Sequence, residues 1–193
     1  MSEHIFKEVD FEHPSILFIL EDKLKSLLGG PLLYNPYFKT FKLNGNERVL
    51  DFGCGGGVGS RCLINLLSEE GHLMCVDVSR YWISKAKKRL ESYSNVECKS
   101  GDIRELDIPD SSFDVISTIH VIHDIVPAKR QDIVETLSQK LNGGGFFFIR
   151  EPIKKSHGMP IEEIRTLLSG AGLKEVEHKE TKSEYMGKYQ KSD

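Results

Sequence analysis

Five short apolar runs of β type alternate with stretches of helical period, and the first run ends in Gly53-Cys-Gly-Gly-Gly-Val-Gly59, a segment of five glycines in seven residues. The runs are residues 48–52, 72–78, 96–99, 113–119 and 146–149. Between them, 60–70 places Cys62, Leu63, Leu66 and Leu67 on one helical face, and 79–92 carries a basic outer face (Lys85, Lys87, Lys88, Arg89). Residues 129–141 are amphipathic and are closed by Asn142-Gly143-Gly144-Gly145. Strands joined through helices return by crossovers, which makes the sheet parallel, covers both of its faces, and leaves ligands to bind at the carboxyl ends of the strands.

Ahead of that core, residues 14–28 place Ile16, Leu17, Leu20, Leu24, Leu27 and Leu28 at helical spacing before Gly29-Gly30-Pro31, and a connector with Tyr34, Tyr37 and Phe38 follows. Residues 160–168 predict one more helix, stopped by Gly170 and Gly172. Residues 173–179 and 185–191 predict two strands, and their short separation suits a hairpin, since a parallel return needs about a dozen residues or more. The expected architecture is an α/β doubly wound sheet of seven strands, mostly parallel, with a C-terminal antiparallel hairpin and helices on both faces. A chain of 193 residues suits one domain. Residues 1–45 would be its N-terminal helix and capping connector, 46–151 its ligand-binding core, and 152–193 its C-terminal helix and hairpin.

With 26 basic against 29 acidic side chains, the chain has no overall field to attract a phosphate polymer or an anionic lipid surface. Nucleic acid and membrane are therefore not expected partners. No apolar run approaches the roughly 18–20 residues that span a bilayer. Residues 1–12 lack the basic flank and apolar region of a secretory signal, so the expected location is cytoplasmic. Cys54, Cys62, Cys75 and Cys98 show no C-x-x-C spacing and are expected to be reduced.

The glycine segment excludes two common ligands. A triphosphate loop ends in Gly-Lys-Ser/Thr, whereas Gly59 is followed by Ser60 and Arg61. The dinucleotide pattern G-x-G-x-x-G fails in both registers, its third glycine being Val58 when counted from Gly53 and Ser60 when counted from Gly55. In place of a phosphate cradle, acids follow three successive strands. Asp51 stands two residues before Gly53, where a carboxylate repels a pyrophosphate and suits a cation. Asp77 ends the second strand, where a carboxylate accepts both ribose hydroxyls. Asp102 follows the third, where an acceptor suits an adenine amino group. The ligand implied is an adenosine with a positive, phosphate-free tail, and S-adenosyl-L-methionine has those parts.

At this point the chain resembles the class I S-adenosylmethionine-dependent methyltransferases, in particular the small type 11 or ubiquinone-biosynthesis-like group. The resemblance spans about residues 49–151. It rests on Val49-Leu-Asp-Phe-Gly-Cys-Gly-Gly-Gly57, Asp77-Val-Ser-Arg-Tyr-Trp-Ile-Ser-Lys-Ala86, the segment from Ser100 to Asp114, and Leu141-Asn-Gly-Gly-Gly145 before the fifth strand. It implies a Rossmann-like fold and in-line methyl transfer from S-adenosyl-L-methionine, with S-adenosyl-L-homocysteine as product. Position by position, it implies that Asp51, Gly53, Cys54 and Gly55 border the methionine part of the cofactor. It likewise implies that Asp77 binds the ribose, that Val78 lies against the adenine with Asp102 and Ile103 at its other edge, and that the Ile119 backbone approaches the cofactor amino group. Trp82 stands where the family usually has methionine or leucine, a departure that offers the adenine a flat indole.

Tyr34 and Tyr37 fall in a connector that often folds over the cofactor in this family, and with His123 they are candidate substrate contacts. His120, just past the fourth strand, would face the methyl group and is the candidate general base. His120, His123, Asp124 and Glu151 evoke a metal site, but their spacing sets no third ligand and no metal is expected. His157 has no partner that the sequence identifies. The acceptor is expected to be a small molecule. A protein side chain is the alternative, because no long insertion is present to build a lid, and a module that binds S-adenosylmethionine without transferring methyl is the alternative from another class. The failed dinucleotide pattern leaves a nicotinamide oxidoreductase as the most distant reading.

Overall fold

The computed structural model describes residues 12–16, 20, 22, 24, 30, 32–154 and 156–193. Strand β1 (Arg48–Phe52) is buried at every position after Arg48, which only a strand covered on both faces can satisfy, and it lies at the middle of the sheet. It pairs in parallel with β2 (His72–Asp77) on one side and with β4 (Phe113–Ile119) on the other. Parallel β3 (Val96–Ser100) extends the sheet beyond β2, and β5 (Leu141–Lys154) extends it beyond β4. The two-residue β6 (His157–Gly158) folds back onto the end of β5. β8 (Glu184–Lys191) pairs antiparallel with β5, and β7 (Leu173–Glu180) pairs antiparallel with β8. The order β3-β2-β1-β4-β5-β8-β7 reverses direction between β1 and β4, which opens a crevice at the carboxyl ends of those strands.

Alternation along the central strands divides the core into two layers. Leu50, Phe52, Met74, Val76 and Ile116 face one side, where Ile133, Val134 and Leu137 of one helix (Pro127–Lys140) and Ile164 and Leu168 of another (Ile161–Gly170) cover them. Val49, Leu73, Cys75, Val115 and Phe148 face the other, under Cys62, Leu63 and Ile64 of the helix Val58–Ile64. The aromatic connector seals that second layer: Phe41 stacks on Phe148 with centroids 3.7 Å apart, and Tyr37 and Phe38 close around it. In the helix Arg80–Leu90, Trp82, Ile83, Ala86 and Leu90 turn inward, and the Ser79 hydroxyl caps it by accepting the Trp82 N–H at 3.1 Å.

The expected doubly wound sheet and its terminal hairpin are present, with three differences. An eighth strand, β6, joins the seven expected. β5 runs over fourteen residues instead of four, because β8 pairs along it as far as Pro152 and the Asn142–Gly145 segment, which follows the helix end at Lys140 and holds Gly144 at φ +72°, is continuous with the strand. The helix expected over 60–70 ends at Ile64, where Leu66 and Leu67 donate to Leu63 and Ile64 three residues back and tighten the last turn. The helix expected over 14–28 lies largely outside the described residues. Among those described, Asp22 reaches across to Arg89 at 2.9 Å.

Candidate active site

The crevice is a cavity of about 690 Å³, within the size range of small-molecule sites. Its floor is the glycine segment. Gly53 and Cys54 both donate to the Val76 carbonyl, at 2.7 and 3.1 Å, which turns the chain sharply off β1. Gly53 holds φ +73°, and a Cβ there would lie 2.3 Å from a Val121 methyl carbon. No other residue type fits without displacing Val121. Gly55, at φ +51°, has nothing within 4 Å of where a Cβ would stand, and it lines the cavity.

Asp77 lines the cavity at the end of β2, with both carboxylate oxygens held. Oδ2 accepts the Gly55 N–H and Oδ1 the Ser79 N–H, each at 2.9 Å. Burial pushes this carboxyl above its ordinary value, and the two amides pull it back. The carboxylate is thus fixed in direction, with lone pairs left for a ligand. Val78, 54% exposed, presents an apolar surface beside it, and Trp82, Ile103 and Ile119 also line the space. Asp102 lines it as well, but Arg104 grips this carboxylate in a forked pair and holds it below its ordinary value.

Asp51 lies beneath the glycine segment, off the cavity wall. It is buried at 5% exposure and accepts the Ser60 hydroxyl at 2.6 Å. Burial raises its carboxyl to about 6, against the pull of the Ser60 hydrogen bond, and the Asp77 charge adds to the rise. A raised carboxyl binds its proton more tightly in the folded chain, so the stability it contributes is present below about pH 4 and is lost as pH rises to about 6. Asp51→Asn is therefore expected to gain stability relative to the parent across that window, by an amount on the order of 3 kcal/mol. Melting temperatures of the two proteins between pH 4 and 8 check this, and a difference that does not change with pH counts against it.

The far wall comes from the segment after β4. His120, at φ +56°, lines the cavity and places Nε2 2.7 Å from Glu184 Oε1 on β8, while Arg150 holds the same carboxylate. Burial lowers the His120 imidazole below its usual value despite that acid. His123 places Nδ1 2.7 Å from Glu151 Oε2, and the other oxygen of this fully buried carboxylate accepts the N–H groups of Val121 and Ile122. Burial lowers the His123 imidazole, but the Glu151 carboxylate outweighs this and leaves the ring above its usual value.

Of the residues expected from sequence, Gly53, Cys54, Gly55, Asp77, Val78, Trp82, Asp102, Ile103, Ile119, His120, His123 and Tyr34 line one cavity. Asp51 and Tyr37 do not. Tyr37 is packed in the second core layer with its hydroxyl buried and unpartnered, and burial raises its phenol far above the ordinary value. All four cysteines are free. Sequence reasoning did not find Glu184 as the partner of His120, Arg104 on Asp102, or Ser60 on Asp51. Glu184 is 64 residues from His120, and only the pairing of Pro152 with Glu184 across β5 and β8 brings it there. Among the described residues no helix is long and apolar enough to cross a membrane.

A family model described as a methyltransferase domain matches residues 49–145, half of the chain. The carboxy-S-adenosyl-L-methionine synthase of Salmonella paratyphi C is 29% identical over 110 residues, which are 55% of this chain and 44% of that protein. The chain spans between 30% and 65% of the length of curated relatives of this kind. A SAM-dependent methyltransferase from Aquifex aeolicus superposes with a TM-score of 0.76 at 21% identity, over 92% of this chain and 98% of that one. The N-methyltransferase NodS from Bradyrhizobium japonicum WM9, solved with S-adenosyl-L-homocysteine, superposes at 0.69 and 18% identity, over 82% and 86%. The glycine segment and strand order agree with the family match, and the chain belongs to the methyltransferase domain family, with the class I S-adenosylmethionine-dependent methyltransferase fold.

Proposed function

We propose that this chain methylates a nucleophilic atom of a small molecule, with S-adenosyl-L-methionine as donor. The observation that carries the reading is the Asp77 carboxylate, locked by the Gly55 and Ser79 amides and turned to the cavity beside a glycine segment with no phosphate-binding lysine. A fixed acceptor pair there suits a ribose diol and repels a pyrophosphate. When bound, the donor supplies a methyl group already activated on a sulfonium, so the reaction needs alignment and exclusion of water. Val78, Trp82 and Ile103 provide the apolar wall for an adenine, and the open side of Gly55 leaves room for the methionine part.

On the acceptor side, His120 is the group placed to take a proton. Glu184 accepts from Nε2–H, which puts the free lone pair on Nδ1, and partial desolvation lowers the ring's affinity for a proton. His120→Asn is expected to lower turnover of an acceptor that must lose a proton by roughly 100-fold or more, with S-adenosyl-L-homocysteine affinity unchanged. The function itself is tested by incubating the protein with methyl-labelled donor and a cell lysate. Label in the small-molecule fraction is the expected result. Label in protein or RNA overturns the small-molecule assignment, and cofactor binding with no transfer to any fraction favours a regulatory binding module.

A further inference from the structure

His123, Asp124 and His157 bring three metal-ligating atoms together on the acceptor side of the cavity wall, all within 4.8 Å of one another. His123 Nε2 is 3.1 Å from His157 Nε2 and 3.4 Å from Asp124 Oδ1. Two donors bound to one tetrahedral zinc ion at about 2.0–2.1 Å stand roughly 3.3 Å apart. Both separations therefore already match edges of a coordination polyhedron. An imidazole–imidazole hydrogen bond and a His123–Asp124 ion pair account for the two distances one at a time, whereas a single bound ion accounts for both together.

The residues behind the cluster support the same reading. Glu151 is fully buried, its Oε1 is occupied by the Val121 and Ile122 amides, and its Oε2 faces His123 Nδ1. A carboxylate in that position accepts from Nδ1–H and leaves the Nε2 lone pair directed at His157 and the cavity. This carboxylate–histidine arrangement orients imidazole ligands at metal centres and makes them better donors. His157 is delivered by a dedicated piece of backbone. β6 folds back so that His157 pairs with Lys154, and the turn admits only glycine at 158, where a Cβ would lie 2.3 Å from the Pro152 carbonyl oxygen. The third ligand absent from the His-x-x-His-Asp spacing is thus supplied 34 residues away.

We propose that His123, Asp124 and His157 form a site for one divalent transition-metal ion of the zinc type, with an open coordination position facing the cavity. Two imidazoles and one carboxylate suit such ions better than magnesium or calcium, which prefer all-oxygen shells. The His120 and His123 ring centroids are 6.3 Å apart, so the open position lies on the same wall as the candidate base. An acceptor with an oxygen or sulfur nucleophile would be held there and would lose its proton more readily. That acceptor role rests on the methyl-transfer reading, and the metal site does not.

The test uses the full chain stripped with a chelator, titrated calorimetrically with Zn²⁺ at pH 8, and then loaded with Co²⁺ for its visible absorption. One ion per chain and the spectrum of a four- or five-coordinate site are expected. His157→Ala, at an exposed position outside the core, and Asp124→Asn should each weaken binding roughly tenfold or more. His178→Ala should leave it unchanged, although His178 stands beside Glu175 and Glu180 on β7. No stoichiometric ion, or an ion whose affinity responds to His178→Ala and not to His157→Ala, overturns the site. S-adenosyl-L-homocysteine binding to the metal-free protein is read separately, and its absence alongside intact zinc binding overturns only the acceptor role.

Discussion

Asp77→Ala is expected to weaken S-adenosyl-L-homocysteine binding by roughly 100-fold or more. Each charge-assisted hydrogen bond from a ribose hydroxyl is worth about 1.5–3 kcal/mol, and the two carboxylate oxygens can each receive one. The geometry leaves little of this to chance, because the Gly55 and Ser79 amides already fix both oxygens before a ligand arrives, and no ordering cost is added on binding. Asp77→Asn retains the shape and one acceptor oxygen, so its loss should be intermediate. Titration calorimetry on the three proteins decides the matter, and equal affinities would exclude Asp77 from the cofactor site. The folded state should be affected much less than binding. Removing the carboxylate also removes the burial cost that raises its proton affinity, and this offsets the absence of the two amide hydrogen bonds.

Gly53→Ala should show the largest loss of stability of any single methyl addition in the segment. At φ +73° an L-residue costs about 1–2 kcal/mol, and forcing a carbon to 2.3 Å from the Val121 side chain costs roughly 1–3 kcal/mol more. For a chain of this size the sum corresponds to a drop in melting temperature of roughly 4–20 °C. Adding Val121→Ala should recover the overlap and leave the φ cost, so the two changes should not be additive. Gly55→Ala separates the effects, since its Cβ would meet nothing within 4 Å and would enter the cavity instead. It should cost about 1 kcal/mol in stability while impairing cofactor binding more than Gly53→Ala does in whatever fraction remains folded. Thermal denaturation followed by circular dichroism measures the first effect, and calorimetry the second.

Much of the core was legible in the sequence because its signals are local. The β-type run ending at Phe52, the glycines that follow, and the acids at positions 51, 77 and 102 each sit where a strand stops, and strand ends are marked by the residues themselves. What local pattern could not reveal is which groups each acid would meet. Asp51 and Asp77 both stand at or next to the end of an apolar β-type run, yet one is covered by Ser60 and the other faces the cavity. The difference arises from alternation across the pleat and from where the helix after the loop packs. Tyr34 and Tyr37 show the same limit. They are three residues apart in one connector, and the structure puts the first on the cavity wall and the second in the core against Phe41.

The far wall was beyond sequence reasoning for a different reason. His120–Glu184, His123–Glu151 and His123–His157 join residues 64, 28 and 34 positions apart. Their meeting depends on the parallel register of β5 against β4, on β8 running antiparallel to β5 in one register, and on β6 folding back at Gly158. A shift of one residue in either pairing would turn those side chains to the opposite face of the sheet.

By itself, then, the sequence determined the alternating plan, the absence of triphosphate-loop and dinucleotide patterns, and the strand-end glycines and acids proposed to receive an adenosine, because glycine freedom, carboxylate charge and apolar period act within a few residues of one another. Tertiary structure alone decided which acids reach the cavity and which carboxylates stand behind His120 and His123 on its far wall, because those are contacts between distant strands and register is a property of the whole sheet.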